Sequence, residues 1–439
     1  MNVVTRIPPS PTGHLHIGTV RTALFNYLFA RKHAGKFIFR SEDTDRARST
    51  KEFEAEIIEG LEWLGLTHDG DIVRQSERVA RHTELLQKLI SEGRAYISKE
   101  ESKATPGEMV EVVRLKNEGR TISFDDLIRG TITFDTTELG DFVIARSVTD
   151  PLYHFAVVVD DMDAGVTHVI RGEDHISNTP RQILIQEALG APRPSYAHLP
   201  LILASDRSKM SKRHGAVSLL EYRKEGFLKE AIINYLALLG WTPENDKEDF
   251  TLAELVEAFD ITRVHKSGAV FDLVKFKSVN QRWMRKLNDE TLLEEIASQA
   301  LSSHPQKTLI LNLIRERAQT FGEARELVSG ELSCLFSAPQ PSKESLSQKG
   351  GEEPTETTKR HITALISQIS ALGEGLSPEE VKEALMPYAD TQGRAQVLWP
   401  LRYALSGMEK SPDPFTLIAI LGKHESVSRL THALAILEK

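Results

Sequence analysis

The chain has 439 residues, of which 40% are apolar and 27% charged, and its 54 Lys and Arg against 63 Asp and Glu give a net charge of −9. At roughly 100 to 200 residues per domain, this length predicts two to four domains, each large enough to bury its own core. The single cysteine, Cys334, excludes an intramolecular disulfide scaffold and a zinc site built from several cysteines, and it is typical of a reducing compartment.

No stretch reaches the ~20 consecutive apolar residues of a membrane span, and the N-terminus lacks the basic and apolar segments of a signal peptide. We therefore expect a soluble, cytoplasmic protein without a membrane partner. The acidic total argues against a surface that is basic all over. It leaves nucleic-acid binding open, because such binding depends on local charge.

The first forty residues predict strand, loop, helix and strand. Residues 3–7 are short, apolar and β-branched, and a loop rich in proline and glycine follows them. From Val20 the apolar residues recur at the three-and-four spacing of a helical face, Gly35 ends that helix, and residues 37–39 resume as a strand. Such a βαβ unit places the intervening loop at the carboxyl end of a parallel sheet, where doubly wound folds bind ligands.

A second helix is predicted from about Ser76 to Gly93. Residues 95–150 lose the helical rhythm and carry short β-rich runs, so an inserted α+β subdomain is the simplest interpretation. Strand character then returns at residues 155–159 and 166–170, followed by a helix over 181–190 and a strand over 199–203. The pattern of a doubly wound, Rossmann-like fold thus resumes after an interruption.

From about Leu219 the pattern is helical. Residues 338–358 are rich in Pro, Ser, Gly and Glu, which predicts a long loop or a linker, and short helices are expected from there to Lys439. The fold class is therefore α/β in the first half, followed by an all-α region.

The segment PSPTGHLHIGT, residues 9–19, feeds a helix N-terminus. That helix would offer unpaired N–H groups to an anion, Gly18 would let a ligand approach the backbone, and His16 could donate to a phosphoryl group. The alternative is a tight turn with an ordinary surface histidine.

A second segment, RSKMSKRH at 207–214, follows the strand predicted at 199–203. Lys209 and Lys212 are spaced to reach one polyphosphate, with Ser208 and Ser211 as further donors. The alternative is a solvated basic face.

Together, HIGT at 16–19 and KMSKR at 209–213 resemble the two signatures of class I aminoacyl-tRNA synthetases. The bacterial glutamyl-tRNA synthetases are similar over longer segments: RIPPSPTGHLHIGTVRTALFNYLFAR, RSEDTDR at 40–46, YHFAVVVDD at 153–161, THVIRGEDHISNTPRQ at 167–182 and SKMSKRHGAVSLLEY at 208–222. The similarity continues into the C-terminal PLRYALSG and ILGKHES segments.

The resemblance implies a site for L-glutamate. Arg6 and Arg171 match the family's substrate arginines, whose guanidinium forks pair carboxylates bidentately. Glu42 matches the acid that faces the amino group, and Ser10 and Tyr153 match its hydrogen-bonding neighbours. Taken singly, Glu42 could form a surface ion pair with Arg40, Tyr153 could be a core aromatic, and Arg171 could be a partner for Glu173.

The resemblance also implies ATP as co-substrate, with Mg²⁺ offsetting phosphate charge. His16 and Gly18 would hold the phosphates, and Lys209 and Lys212 the leaving pyrophosphate; these four are the expected catalytic residues. The expected ATP-binding set is His16, Gly18, Thr19, Asp174, Ile202, Lys209, Met210, Ser211, Lys212 and Arg213.

A tRNA partner predicts a basic surface. Residues 261–287 carry seven basic side chains against one acid, Asp272, and phosphate contacts of this kind supply affinity. The candidates are Arg263, Lys266, Lys275, Lys277, Arg282, Arg285 and Lys286. A solvated helical face is the alternative. Trp399 and Arg402 are candidates for base contacts in the anticodon region, although core packing explains Trp399 equally well.

By analogy, residues 1–75 and 152–205 form the catalytic domain, 76–151 a shortened acceptor-binding insertion, 206–288 the KMSKR loop with a stem-contact helical domain, and 289–439 the anticodon-binding region. The insertion lacks the cysteine knuckle of some relatives, so we expect no zinc. Pro8 stands where the family usually has alanine, in a segment thought to contact glutamate through its backbone, and proline lacks the N–H donor.

The resemblance implies a monomeric glutamate–tRNA ligase that charges tRNA-Glu, and the sequence leaves open whether it also charges tRNA-Gln. Two alternatives remain: a small-molecule nucleotidyltransferase of similar fold, and a non-catalytic tRNA-binding paralogue. The long helical extension argues against the first, and the intact His16, Gly18, Lys209 and Lys212 against the second. A glutaminyl-tRNA synthetase is disfavoured because its C-terminal region should be a β-barrel.

Overall fold

The structure, a computed structural model, describes residues 2–102, 105, 107–208, 210, 218–349 and 353–439. The chain forms two units, Met1–Val279 and Asn280–Lys439. The first unit contains parallel and antiparallel strands together with helices, and the described part of the second is helical. The predicted fold class is therefore confirmed, whereas the finer division of the chain into four domains stays a prediction.

The first unit holds the strands and the N-terminal helices. Its strands are β1 (Val4–Ile7), β2 (Lys36–Ser41), β3 (Val73–Arg74), β4 (Ala95–Glu101), β5 (Met109–Leu115), β6 (Thr121–Asp126), β7 (Gly130–Asp135), β8 (Phe142–Ser147), β9 (Asp150–Pro151), β10 (His168–Gly172), β11 (Ser195–Leu199), β12 (Ile202–Leu203) and β13 (Ala269–Val270). Its helices are α1 (Ile17–Lys32), α2 (Lys51–Trp63), α3 (Val79–Ser91), α4 (Tyr153–Asp163), α5 (Thr179–Leu189), α6 (Leu219–Glu225), α7 (Lys229–Leu238), α8 (Leu252–Ala258) and the start of α9 (Leu273–Arg285).

The parallel strands bring the ends of β1 and β10 to one edge. β1 pairs with β2, and β2 pairs with β3. On the other side of β1, the N–H of Thr167 donates to the carbonyl of Val4 at 3.0 Å, and β10 pairs in parallel with β11. Arg6 and Arg171, near the carboxyl ends of β1 and β10, therefore lie at the edge where ligands of doubly wound sheets bind.

The segment between α3 and α4 contributes to two different sheets. Strands β4, β5, β8 and β9 form an antiparallel sheet of their own. The hairpin of β6 and β7 instead joins β11 of the parallel sheet, with Tyr196 opposite Asp126. One part of the inserted segment is therefore continuous with the parallel strands β10 and β11.

Two local expectations for the first unit are corrected, and one helix is added. Residues 155–159, expected as a strand, lie in the helix α4, where Phe155 and Val159 are fully buried. The strand expected at 199–203 is interrupted at Pro200, which lies between β11 and β12. Helix α2, which the periodicity left unassigned, begins at the cap Thr50, whose side chain accepts from the N–H of Phe53 at 3.2 Å.

The second unit is built of helices, and α9 runs into it. The further helices are α10 (Asp289–Ile296), α11 (Gln299–Ser302), α12 (Lys307–Arg317), α13 (Phe321–Ser329), α14 (Lys343–Ser347), α15 (Pro354–Ser370), α16 (Pro378–Gln392), α17 (Arg394–Ser406) and α18 (Pro414–Glu438). Helices α15, α17 and α18 share a core that includes Leu365, Leu401 and Leu430, each fully buried. Such burial is the main source of their stability.

Two expectations for this unit are wrong. Residues 338–358 are not a continuous loop, because α14 lies among them with Leu346 fully buried, and α15 begins at Pro354. Helix α15 is longer than expected, with 17 residues, and α18 consists of two helical segments that meet at a kink at Gly422, where φ is 75°. A positive φ is readily adopted by glycine, so the kink falls where the chain tolerates it.

Candidate active site

The N-terminus of α1 is arranged to receive an anion. His16 caps the helix, and its Nδ1 accepts a hydrogen bond from the N–H of Gly18 at 3.1 Å. A neutral imidazole that accepts at Nδ1 carries its proton on Nε2, which is then a donor. A Cβ added at Gly18 would lie 3.3 Å from His16 Nδ1, so glycine keeps this approach to the backbone open. The positive end of the helix dipole favours negative charge here.

A network of buried ion pairs links β1, β2 and α4. Asp161 of α4 accepts from Arg6 Nε at 3.3 Å and from Arg40 Nη1 at 2.5 Å, and Arg40 Nη2 donates to Glu42 Oε1 at 3.1 Å. All four side chains are at most 9% exposed. The Arg40–Glu42 pair considered from the sequence therefore exists, but it is buried and not a surface pair. Arg6 Nη1 is also buried and has no hydrogen-bond partner.

The network shifts the pKa values of its two acids in opposite directions. Burial pushes the pKa of Asp161 upward, but the charges of Arg40 and Arg6 outweigh it and hold that pKa below its ordinary value. Burial is the larger effect for Glu42 and raises its pKa, against the opposing charges of Arg40 and Arg6. The ionised form of Asp161 is therefore stabilised by its arginine partners. A further positive charge beside Glu42 would stabilise the ionised form of that carboxyl group as well.

Arg171 is held from several sides. Its Nη1 donates to Gln182 Oε1 at 2.7 Å, its Nη2 to Thr179 Oγ1 at 2.8 Å, and its Nε to His198 Nε2 at 3.1 Å. Burial lowers the pKa of Arg171, but guanidinium groups stay charged in proteins. Glu173, proposed as an alternative partner, pairs with Arg129 instead.

These groups meet at one cavity of about 420 Å³. Twelve residues singled out from the sequence line it: Arg6, Pro8, Ser10, His16, Gly18, Thr19, Glu42, Tyr153, Arg171, Asp174, Ile202 and Met210. Tyr153 is 37% exposed, which is not the burial of a core aromatic. Lys209, Ser211, Lys212 and Arg213 lie outside the described residues. The structure thus brings the described candidates together, and their individual roles stay predictions.

The cavity wall also contains residues that the sequence did not single out, among them Arg21, Thr22 and His175. Arg21 donates to the carbonyls of Leu239 and Pro200. Burial lowers its pKa to about 10, so it remains a cation at neutral pH. Arg21 and Thr22 follow Gly18 by three and four residues, so the helical spacing after the HIGT motif could have identified them.

The predicted basic patch is divided between the two units at Val279. In the first unit, Arg263, Lys266 and Lys275 are exposed and Lys277 is half-buried. In the second, Arg285 and Lys286 are exposed and Arg282 is half-buried. These exposures permit contact with phosphates, and the role stays a prediction.

Trp399 is packed within the second unit. Its Nε1 donates to the carbonyl of Ser345 at 2.8 Å, its ring stacks on Tyr403, and Arg402 lies 5.1 Å from its centroid. Trp399 is half-buried in this arrangement, and its role in base contact stays a prediction.

Within the part of the chain that the structure describes, no three His, Cys, Asp or Glu side chains are grouped to hold a metal ion. The expectation of no zinc stays a prediction. None of the described helices is long and apolar enough to cross a membrane.

Comparison with known proteins identifies two families along the chain. Residues 2–109 and 97–278 match the tRNA synthetases class I (E and Q), catalytic domain, and residues 251–434 match the anticodon binding domain. Similar curated proteins include the glutamate–tRNA ligase of Carboxydothermus hydrogenoformans, 39% identical over 98% of this chain and 99% of that protein. The glutamate–tRNA ligase of Nitrosospira multiformis is 38% identical over 98% of each chain.

Two solved structures are similar to this chain over nearly its whole length. The crystal structure of a glutamate tRNA ligase from Elizabethkingia meningosepticum, in complex with its amino acid, matches with a TM-score of 0.86 at 31% identity over 100% of both chains. A glutamate-tRNA synthetase from Elizabethkingia anophelis matches with a TM-score of 0.83 at 31% identity, over 99% of this chain and 100% of that one.

Proposed function

Since the chain belongs to the glutamate–tRNA ligases of the class I tRNA synthetases, we propose that its cavity activates L-glutamate with ATP and then transfers the glutamyl group to tRNA. The observation that carries the proposal is the single cavity in which His16 and Gly18 lie beside Arg6, Glu42 and Arg171. One end can hold phosphates and the other can hold an amino acid with two carboxylates.

The charge of the buried groups fits glutamate better than glutamine. Three guanidinium groups, of Arg6, Arg40 and Arg171, stand against the two carboxylates of Glu42 and Asp161, each residue being at most 7% exposed. With both acids ionised their net charge is +1, and L-glutamate carries −1 at neutral pH. Binding glutamate would neutralise these five groups, whereas neutral glutamine would leave their charge uncompensated, which is costly.

We assign the carboxylates of the substrate to the unpartnered Nη1 of Arg6 and to the guanidinium of Arg171. Glu42 faces the ammonium group of the substrate. Ser10 and Tyr153 are hydrogen-bonding neighbours of the substrate. Pro8 contributes a carbonyl oxygen and no N–H donor.

At the other end of the cavity, the helix N-terminus with His16, Gly18 and Thr19 receives the phosphates of ATP, while Asp174 and Ile202 line the nucleotide. Lys209 and Lys212, which lie outside the described residues, are assigned to the leaving pyrophosphate on the strength of the motif. Mg²⁺ would accompany the phosphates and offset their charge. The described residues group no metal-ligating cluster.

The reaction proceeds in two steps. An oxygen of the glutamate α-carboxylate attacks the α-phosphorus of ATP, forming glutamyl adenylate as the bond to pyrophosphate breaks. The 2′-hydroxyl of the terminal adenosine of tRNA then attacks the carbonyl carbon, and AMP leaves. No side-chain nucleophile is needed, so catalysis comes from positioning and from stabilising developing charge. The donors of α1 and the buried guanidinium groups suit both tasks.

The tRNA partner is supported by the anticodon-binding family match at residues 251–434. We propose that the seven basic residues of segment 261–287 contact its backbone, that tRNA-Glu is the cognate substrate, and that the enzyme acts as a cytoplasmic monomer. Charging assays with purified tRNA-Glu and tRNA-Gln decide whether both tRNAs are substrates.

Pyrophosphate exchange tests the proposal. With ATP and tRNA present, L-glutamate should support exchange and glutamine should support far less. Exchange without any amino acid, or with an unrelated acceptor, would point to a small-molecule nucleotidyltransferase. Binding of tRNA without any exchange would point to a non-catalytic paralogue.

A further inference from the structure

A buried chain of three side chains connects the inserted hairpin to Arg171. Asp126 Oδ2, at the end of β6, lies 2.6 Å from His198 Nδ1 on β11. His198 Nε2 in turn lies 3.1 Å from Arg171 Nε on β10. The exposed fractions are 4% for Asp126, 0% for His198 and 5% for Arg171, so water cannot replace a lost partner without rearrangement.

The contacts with Asp126 and Arg171 determine which nitrogen of His198 carries the proton. Because a carboxylate only accepts, His198 Nδ1 must donate to Asp126, and Nε2 of the neutral ring is then an acceptor. Arg171 Nε can only donate, and it faces that acceptor. Burial is the largest cause that lowers the pKa of His198, and the neutral ring fits its place opposite a guanidinium.

Asp126 is itself fixed by the backbone. Its Oδ1 accepts from the N–H groups of Ile128 at 3.0 Å and Arg129 at 2.9 Å, and its Oδ2 also accepts from the N–H of His198 at 3.0 Å. The carboxylate therefore ties the turn after β6 to β11. Its remaining hydrogen bond, to His198 Nδ1, orients the ring.

Two further side chains lie beside the ring of His198. Tyr196 lies nearly parallel to it, with centroids 6.1 Å apart and an interplanar angle of 13°. The hydroxyl of Thr179, which accepts from Arg171 Nη2, lies 3.2 Å from His198 Nε2. With Nδ1 donating to Asp126, the lone pair of His198 Nε2 faces Arg171 Nε.

We propose that His198, oriented by Asp126, is a positioning residue for Arg171 and thereby sets the affinity for glutamate. The proposal rests on the proposed role of Arg171 in binding the substrate. Neither residue lines the cavity, so both act through the guanidinium. Carboxylate–imidazole pairs orient other functional groups in the same manner, and changing the tautomer disturbs them.

Two substitutions at His198 separate its two hydrogen bonds. In His198→Asn the amide nitrogen takes the place of Nδ1 and can still donate to Asp126, but Arg171 Nε loses its acceptor. In His198→Gln the amide oxygen can accept from Arg171 Nε, and the bond to Asp126 is lost. The measured quantities are KM for glutamate, KM for ATP, and Tm.

If His198 positions Arg171, the Asn variant should raise KM for glutamate by about tenfold and leave KM for ATP within about twofold. The Gln variant should keep most of the glutamate affinity. A purely structural role predicts that the Gln variant is the more damaging of the two, because the buried carboxylate of Asp126 then loses the donor at Nδ1. Equal effects of the two variants, or parallel changes in both KM values, would also overturn the proposal.

A second histidine provides the matched control. His82 Nε2 lies 2.9 Å from Asp160 Oδ1, both side chains are at most 1% exposed, and His82 Nδ1 has no partner. His82→Gln should change Tm and leave KM for glutamate within about twofold. A rise equal to that of His198→Asn would show that losing any buried imidazole produces the effect, and the proposal would fail.

Two further variants keep the outcome decisive. If His198→Asn does not fold, Asp126→Ser replaces it, because serine keeps a hydroxyl acceptor for Ile128 and Arg129 while releasing His198. Asp126→Ser should raise KM for glutamate selectively, and an unchanged value would contradict the proposal.

Arg171→Ala separately tests the proposed role of Arg171 in binding glutamate. If this variant leaves glutamate binding intact, that role is wrong, whatever the His198 variants show.

Discussion

Replacing Arg6 by glutamine tests the buried network most directly. Arg6 Nε lies 3.3 Å from Asp161 Oδ1, while its buried Nη1 has no partner in the protein. We propose that the substrate carboxylate supplies that partner. Arg6→Gln removes the guanidinium and changes the net charge of the five buried groups from +1 to zero, so a glutamate ion no longer balances it.

The expected loss follows from the type of bond. Hydrogen bonds to charged groups contribute about 1.5–3 kcal/mol, which corresponds to a roughly 10- to 150-fold increase in the dissociation constant for glutamate. The fold should survive because Asp161 keeps Arg40 Nη1 at 2.5 Å. A cost of about 1–2 kcal/mol in the free energy of unfolding would lower Tm by about 2–8 °C.

The assay is aminoacylation at saturating ATP and tRNA, with glutamate varied, followed by the same measurement with ATP varied. Arg31→Gln is the matched control, since Arg31 Nη1 pairs with Asp69 Oδ2 at 2.6 Å in the same unit and Arg31 does not line the cavity. Arg6→Lys should lie between wild type and Arg6→Gln, because lysine keeps the charge and loses the planar fork. A KM for glutamate that changes by less than about threefold, or that rises together with KM for ATP, would refute the reasoning.

Three other predictions concern single residues. Arg171→Ala should abolish glutamate-dependent pyrophosphate exchange while the chain stays folded, with a lowered Tm because Gln182, Thr179 and His198 lose their partner, and undiminished exchange would remove Arg171 from the substrate site. Lys212→Ala should slow adenylate formation in single-turnover assays far more than it weakens tRNA binding in filter assays, and the reverse result would contradict its assigned role. Burial, with the charges of Arg181 and Arg171, lowers the pKa of His154 from 6.5 to about 4. Between those pH values the unfolded chain binds a proton that the folded chain does not. The free energy of unfolding should therefore fall as the pH drops from 6.5 to 4. His154→Phe should flatten this dependence of Tm on pH, and parallel curves for variant and wild type would show that His154 does not contribute to it.

The sequence alone predicted the elements with strong local signals. The strand β1, the helices α1 and α3, and the loop carrying His16 and Gly18 follow from residue spacing and from turn residues, which act within a few residues of one another. The same local patterns carried the family resemblance, and with it most of the cavity wall.

Local patterns failed where long-range burial decided the structure. Residues 155–159 include three consecutive valines, and a fully buried run of this kind has no polar face by which a helix could be told from a strand. Packing on every side placed it in α4. Likewise, the polar composition of residues 338–358 predicts a loop and does not indicate that Leu346 is buried. The burial of Leu346 in the second unit stabilises the short helix α14.

The partners of the site arginines were decided only by the tertiary structure. Asp161 is 155 residues from Arg6, and Asp126 is 72 residues from His198. Nothing near either acid along the chain marks it as a partner, since the pairing depends on strands and helices that meet only after folding. Ionised groups are tolerated in the interior when they are paired there. The sequence therefore determined which residues could recognise glutamate, and the folded chain determined which acids and which imidazole hold them in place.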